Sequence, residues 1–202
     1  MLPISREALL AHFMLSPTVD YHPQTQARVA HLTGKPLQQA SVLIGFVKRT
    51  TGLHVIFTRR AEHLKHHPGQ ISFPGGKFEE EDGCLQNTAL REAHEEVGIR
   101  THDVEIIGQL PPLMTVSQFT VTPIVAFVDP HYPIQTDPNE VAEVFEVPAH
   151  ILLDPKQLHS CQFEFRASQH CIFALTYQKH FIWGMTAQII QAMQQQLILL
   201  NQ

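Results

Sequence analysis

Apolar and polar positions in this chain recur with two periods, that of a helix and that of a strand. Near the start, Ser5 can cap a helix over residues 6–15. Ile4 and Leu9 are placed as a hydrophobic staple, and Leu9, Leu10, Phe13 and Met14 form the stripe to be buried. Residues 16–38 carry Pro17, Pro23, Gly34 and Pro36 among scattered polar residues and read as a connector with room for one short helical turn. Ser41–Val47 is almost continuously apolar, the pattern of a strand covered on both faces, and Leu53–Thr58 follows across a Thr50-Thr51-Gly52 turn. Between Cys84 and Val97 there is neither Pro nor Gly. Asp82 stands at an N-cap position and Gly98 at a C′ position, which predicts one helix ending at Val97.

Further strands are predicted at Val104–Gly108 and Val121–Val128. Pro111-Pro112 ends the first, and Pro123, with no N–H to give a ladder, marks the second as an edge or bulged strand. A proline-rich loop over 129–139 leads to Glu140–Pro148, an exposed helix or strand edge. Phe163–Arg166 and Ile172–Tyr177 predict a hairpin around 167–170, with Cys161 and Cys171 as neighbours on it. Met185, Ile189, Met193 and Leu197 recur every fourth residue in a last helix, a stripe for the core. The sum is a mixed α/β domain with three helices, two of them terminal.

Length and composition narrow this picture. At 202 residues the chain fits one domain: an N-terminal helix and connector over 1–38, a core over 39–150, and a hairpin with the C-terminal helix over 151–202. With 44% hydrophobic and 16% charged residues it is globular in composition. A net charge of −5 argues against a general nucleic-acid binder, so an anionic substrate has to meet a local basic patch. The opening MLPISREALLAHF lacks the basic and apolar regions of a signal peptide, and no run of 18 apolar residues occurs. This predicts a cytoplasmic chain with no membrane partner. Cys84, Cys161 and Cys171 show no C-x-x-C spacing and are read as packing residues. His63, His66 and His67 lack a carboxylate or Cys at ligand spacing, and a phosphate-facing or plain surface role suits them better than metal binding.

The candidate chemistry lies on the 84–97 helix. At about 100° per residue, Ala89, Leu90, Ala93 and Val97 share one apolar sector, and Glu92, Glu95 and Glu96 occupy the next. Carboxylates at i, i+3 and i+4 repel, by roughly 1 kcal/mol per pair in water and about 4 kcal/mol at an effective dielectric near 20. A cation relieves the repulsion, and hard oxygen donors suit Mg²⁺ or Mn²⁺. Arg91 can pair with Glu95 and hold the acid face in one arrangement. The plain alternative is a solvated Glu-rich face. Just upstream, Gly75 and Gly76 let backbone approach a metal or phosphate closely. Ahead of them Arg59–Ser72 delivers Arg59, Arg60 and Lys65, either as a solvated basic loop or as a phosphate-binding one.

The run Gly76-x5-Asp82-x8-Arg91-Glu92-Ala93-x-Glu95-Glu96-x-Gly98-Ile99 resembles the Nudix box, G-x5-E-x7-R-E-U-x-E-E-x-G-U. Asp82 replaces the usual Glu, and one extra residue precedes Arg91. A second run, Ile56-Phe57-Thr58-x-Arg60-Ala61-x3-Lys65-x3-Gly69-x3-Phe73-Pro74-Gly75-Gly76, is similar to the signature of the coenzyme A diphosphatase branch of that family, with Lys65 in place of Arg. The Trp183-Gly184-Met185-Thr186-Ala187 stretch also resembles that branch, so the likeness runs from about residue 40 to about 192.

The resemblance implies a Nudix-type α/β/α sandwich with a mixed sheet. It also implies Mg²⁺- or Mn²⁺-dependent hydrolysis of a diphosphate, here coenzyme A to 4′-phosphopantetheine and adenosine 3′,5′-bisphosphate. Glu92 and Glu96 are the expected metal ligands. Glu95 completes the site or acts on water, with Arg91 beside it, and Arg59, Arg60, Lys65, Gly75 and Gly76 meet the substrate. The base is expected on a later loop, at Glu140 first, then Glu143, with Glu146 third. The alternatives are a Nudix hydrolase of ADP-ribose, dinucleotides or nucleoside triphosphates, and a non-hydrolytic binding module.

Overall fold

The computed structural model describes residues 4–165 and 168–198. Helix α1 (Arg6–Leu15) is capped by the Ser5 hydroxyl, which accepts the Ala8 N–H at 3.1 Å. Leu9 and Phe13 are buried. Met14 lies about 100° round the helix from Phe13 and is 66% exposed, so the buried stripe is narrower than the sequence suggests. The connector holds a real helix, α2 (Pro23–Val29), with Pro23 in its first turn and the His22 ring accepting the Gln24 N–H.

The main sheet has eight strands: β1 (Gln38–Arg49), β2 (Gly52–Arg60), β3 (Ile71–Ser72), β4 (Gly75–Lys77), β5 (Val104–Gln109), β6 (Leu113–Met114), β7 (Phe119–Val128) and β8 (Val141–Pro148). Long β1 pairs in parallel with β7 from Gln38↔Phe119 to Val47↔Val128. The other pairings are antiparallel. β1 stays with β2 only over Phe46–Arg49, and beyond that the two strands diverge. The split is filled by residues 71–77, because β3 pairs with the far end of β2 while β4 pairs with Ala40–Val42 of β1. Leu43 N–H donating to the Pro74 carbonyl at 2.8 Å closes the gap. The Gly75-Gly76 turn is thereby wedged into the middle of the sheet.

Pro123 lies in β7, which has β1 on one side and β5 on the other, so this is not an edge strand; the β5–β7 ladder does carry a register shift close by, between Ile106 and Gly108 of β5. The Pro123 carbonyl accepts the Leu110 N–H at 2.9 Å. In an antiparallel ladder a residue's N–H and C=O point the same way. The missing donor of Pro123 therefore faces the place where the neighbouring chain leaves β5 and crosses Pro111-Pro112 to β6.

Helix α3 (Leu85–Val97) covers one face of the sheet. Its Ala89, Ala93 and Val97 pack on Leu43, Val47, Ile56, Ile124 and Ala126. The other face, with Phe46, Phe57 and Val125, is covered by α1, by the short α4 (Ala149–Leu152), by a second sheet of β9 (Leu158–Phe165), β10 (Ser168–Tyr177) and β11 (His180–Trp183), and by α5 (Met185–Ile198). This is an α/β/α sandwich on a mixed sheet, with five α-helices among the described residues where the sequence predicts three. Strands β9 and β10 pair antiparallel as a hairpin, and residues 166–167, within the predicted hairpin, lie outside the described residues. Cys171 is buried and Cys161 exposed, offset by one register step, and all three cysteines are free. No helix among the described residues is long and apolar enough to cross a membrane.

Candidate active site

The acid face is built by α3 and the Gly-Gly wedge together. Helix α3 starts after Cys84, whose side chain makes no cap bond, and ends at Gly98 in the left-handed region (φ 87). Gly98 N–H donates to His94 O at 2.9 Å and Ile99 N–H to Ala93 O at 3.2 Å, a Schellman-type stop. Asp82 is not the N-cap. It closes a 3₁₀ turn over Glu80–Asp82, and Gly83 (φ 70) then absorbs the extra residue of the box. That detour turns Asp82 inward. Its carboxylate accepts from Arg91 Nε at 2.8 Å, Arg91 Nη2 at 3.1 Å, Thr88 Oγ1 at 2.8 Å and the Glu79 N–H at 3.0 Å. Arg91 beside it holds the Asp82 carboxyl well below the usual range.

Arg91 is thus the hub of the helix surface. Besides Asp82 it reaches Glu92 at 3.0 Å, Glu95 at 3.2 Å and the Lys77 carbonyl at 2.9 Å, which ties the wedge to the helix. Removing one partner of a pair that is buried on one side and partly buried on the other leaves a charge uncompensated. Asp82→Ala is expected to lower stability by about 2–3 kcal/mol, read as a shift in urea midpoint at pH 7 with unchanged m. Because the folded-state acidity of Asp82 is depressed, that contribution is present above the ordinary carboxylate pKa and lost as pH falls below it. The parent and the variant should therefore converge in acid; equal midpoints at pH 7 would show that the pair braces nothing.

Glu92 and Glu96 face the glycine wedge. A Cβ on Gly75 would overlap the backbone of Ser41 and Val42, so no other residue type fits there, whereas one on Gly76 would push the Glu92 carboxylate aside. Glu96 is only 3% exposed, and its Oε2 accepts the Gly75 N–H at 3.2 Å. Burial pushes its carboxyl up to about 8; the Gly75 N–H and the charge of Arg60 oppose the shift, while Glu92 and Glu140 add to it. Burial also pushes Glu92 up, with Arg91 pulling back and Glu95 and Glu140 adding like charge. Glu95 is more exposed, at 56% of its side chain.

Among the described residues no three His, Cys, Asp or Glu side chains stand together as a ready ligand set. Glu92 and Glu95 are turned to Arg91 and Glu96 to the Gly75 amide. The donor chemistry still suits a hard cation: a buried carboxylate, Glu96, and a half-buried one, Glu92, adjoin a backbone turn, and burial pushes Glu96 up to about 8.

The three later acids have different surroundings. Glu146 forms a two-pronged pair with Arg49 at 2.6 and 2.9 Å. Glu143 meets Lys179 at 3.0 Å, His180 at 3.2 Å and Arg59 at 3.3 Å, and Lys179 foremost holds its carboxyl below the usual range. Glu140, at the entry to β8, pairs with no cation among the described residues, and its charge is felt at both Glu92 and Glu96. Its backbone is fixed: the Glu140 N–H donates to Asp137 O at 3.1 Å, and the Glu140 carbonyl accepts the Ala61 N–H at 2.8 Å.

The predicted basic cluster is divided. Arg60 acts on the charge of Glu96, whereas Arg59, one residue earlier on β2, faces the other side of the sheet, where it pairs with Glu62 at 3.0 Å and with Glu143. Lys65 is exposed on the loop between. His63, His66 and His67 are exposed on the same loop. A shallow cavity of about 310 Å³ opens beside Glu95, lined by His94, Gly98, Gln135, Thr136 and Asp137. The larger cavity, about 420 Å³ between α2 and Pro111–Met114, shares no residue with the acid face. Sequence reasoning missed Thr88 and Lys77 as partners of the Asp82–Arg91 pair. An i,i+3 spacing from Thr88 to Arg91 is the one local signal that could have pointed to the first.

The chain matches the NUDIX domain family over residues 37–168. A relative from Enterobacter sp. (strain 638), bearing the name uncharacterized Nudix hydrolase NudL, is 44% identical over 161 residues, 79% of this chain and 83% of that protein. A protein of the same name from Yersinia pestis (strain Pestoides F) is 40% identical over 168 residues, 83% of this chain and 84% of its own length. A solved MutT/nudix family protein from Enterococcus faecalis overlaps 96% of this chain and 74% of its own at 12% identity, with a TM-score of 0.49.

Proposed function

Because the chain belongs to the Nudix hydrolase family, we propose that it hydrolyses the diphosphate bond of coenzyme A and its derivatives to 4′-phosphopantetheine and adenosine 3′,5′-bisphosphate. The observation that carries this reading is the attachment of the basic loop 60–69 directly to the Gly75-Gly76 wedge, with Arg60 near enough to oppose the upward shift of Glu96. The loop residues are also those of the diphosphatase signature.

In this reading Glu92 and Glu96 hold Mg²⁺ or Mn²⁺. A bound divalent ion would neutralise diphosphate oxygens and lower the pKa of water. The remaining work falls to the chain. Arg91 keeps Glu92 and Glu95 oriented, and Gly76, bare of a side chain, leaves the space that the Glu92 carboxylate occupies. Arg60 and Lys65 donate charge-assisted hydrogen bonds to phosphate oxygens, Lys65 as a point charge without the arginine fork. Glu140, which pairs with no cation among the described residues and whose charge is felt at the acid face, takes the proton of the attacking water. The enzyme is expected to act in the cytoplasm on a small molecule, with no nucleic-acid or membrane partner.

Comparing kcat/KM for coenzyme A and 3′-dephospho-coenzyme A tests the substrate, in the parent and in Arg60→Ala and Lys65→Ala. A lost charge-assisted contact amounts to about 1.5–3 kcal/mol, or roughly 10- to 150-fold. The parent should prefer coenzyme A by such a factor, and one of the variants should erase the preference. Equal rates on the two substrates in the parent, or faster turnover of ADP-ribose, NADH or dGTP, would remove the coenzyme A assignment and leave the broader hydrolase.

A further inference from the structure

Away from the acid face, side chains from β2, β11 and the turn between β10 and β11 converge on Glu143 of β8. Its carboxylate accepts from Arg59 Nε of β2 at 3.3 Å and from Lys179 Nζ at 3.0 Å, and lies 3.2 Å from Nε2 of the buried His180 at the start of β11. Register pairing sets Glu143 directly opposite Arg59. Arg59 Nη1 continues to Glu62 at 3.0 Å. The Glu62 carboxylate in turn covers Gly69 (φ +66), where a Cβ would stand 2.7 Å from Oε1. A continuous line of contacts therefore runs from the sheet through Glu143, Arg59 and Glu62 to both ends of loop 61–70. On the same side of the sheet a ring stack of Phe73, Phe57, Phe145 and His180, with centroids 4.7, 5.6 and 3.6 Å apart, fixes the segment that follows the loop.

These contacts suit neither role that the sequence offers for the two central residues. Two nitrogens of Arg59 are already committed to carboxylates on the side of the sheet away from Glu96. Glu143 is ringed by donors and makes a poor proton acceptor. Resting on the coenzyme A reading for its catalytic consequence, we propose that Glu143 is a positioning residue which, through Arg59 and Glu62, braces loop 61–70 so that Arg60 and Lys65 meet the phosphates of the substrate.

Two readouts test the brace on the full chain. In amide hydrogen exchange without ligand, Glu143→Ala should speed exchange within residues 61–70 and leave α3 unchanged. In steady-state kinetics with Mn²⁺ and the best diphosphate substrate of the parent, Glu143→Ala and Arg59→Ala should each raise KM about tenfold with kcat within about twofold. The double variant should be no worse than either, because both break one line of contacts. Glu143→Gln keeps the shape and loses the charge; it should give a smaller rise of about threefold, and carries the test if the alanine variant does not fold. Unchanged exchange in 61–70 overturns the proposal, as does a double variant weakened about a hundredfold, the mark of Arg59 touching substrate itself. A parent that ignores coenzyme A defeats the substrate reading alone, since exchange and the cycle on whichever diphosphate it does hydrolyse still decide the brace.

Discussion

Glu96→Gln is expected to lower kcat by roughly three orders of magnitude or more at saturating Mg²⁺ while making the metal-free protein more stable in alkali. Both halves follow from one geometry. Glu96 is 3% exposed, and the Gly75 N–H is the one donor on its carboxylate among the described residues. Gln fills the same space and its carbonyl can accept the same N–H, so the fold has no reason to change, but the anionic oxygens proposed for the metal are gone. Its folded-state pKa is raised from 4.5 to about 8, so the native state holds a proton that the unfolded chain has released. Stability of the parent therefore falls as pH rises from about 4.5 to about 8, by an amount on the order of a few kcal/mol, and then levels off.

The glutamine variant lacks that slope. In EDTA at pH 9 it should unfold at higher urea than the parent, and the difference should shrink toward pH 5. A cation has to displace the same proton, so apparent metal affinity of the parent should climb with pH up to about 8. Near-normal turnover in Glu96→Gln would sink the metal assignment. A lower urea midpoint than the parent at pH 9 would show that Glu96 is not held neutral.

The second large effect is expected at Glu140. Single glutamine variants of Glu140, Glu143 and Glu146 should divide sharply, with Glu140→Gln losing about 10²- to 10⁴-fold in kcat, the usual range for a general base. Glu146→Gln gives up one prong of the Arg49 pair and should register as a stability change of roughly 1 kcal/mol. Glu143→Gln should raise KM rather than lower kcat. The ground for separating them is charge environment: Glu143 and Glu146 each meet cations within 3.3 Å, whereas the charge of Glu140 is felt by the acidic pair. Three losses all below about tenfold would move the role to Glu95 or to hydroxide itself.

The acidic helix was legible in the sequence because its geometry is local. A fixed turn of about 100° per residue sets Ala89, Ala93 and Val97 against the sheet and leaves the glutamates on the neighbouring sector, whatever the rest of the chain does. Gly98 was legible for the same reason, since one left-handed residue ends a helix by itself. The buried character of β1 and the last helix followed from apolar runs. What the sequence could not carry was pairing at a distance. Asp82 meets Arg91 only because Gly83 takes a left-handed turn, and Arg59 parts from Arg60 because neighbours on a strand point to opposite faces once the sheet has chosen its register.

The same holds for the acids of β8, which look alike at 140, 143 and 146 until Arg49, Arg59 and Lys179 are brought to them from far along the chain. It holds also for α5, whose Gln188, Gln191, Gln194 and Gln196 find their surroundings only in the closed fold. They are buried, and Gln194 donates to the Leu152 carbonyl at 2.7 Å. Local periodicity and glycine geometry are properties of a few consecutive residues, so the sequence alone determined the acidic helix. Which charges meet across strands is decided by register and layer packing, and those exist only once the whole sandwich has closed.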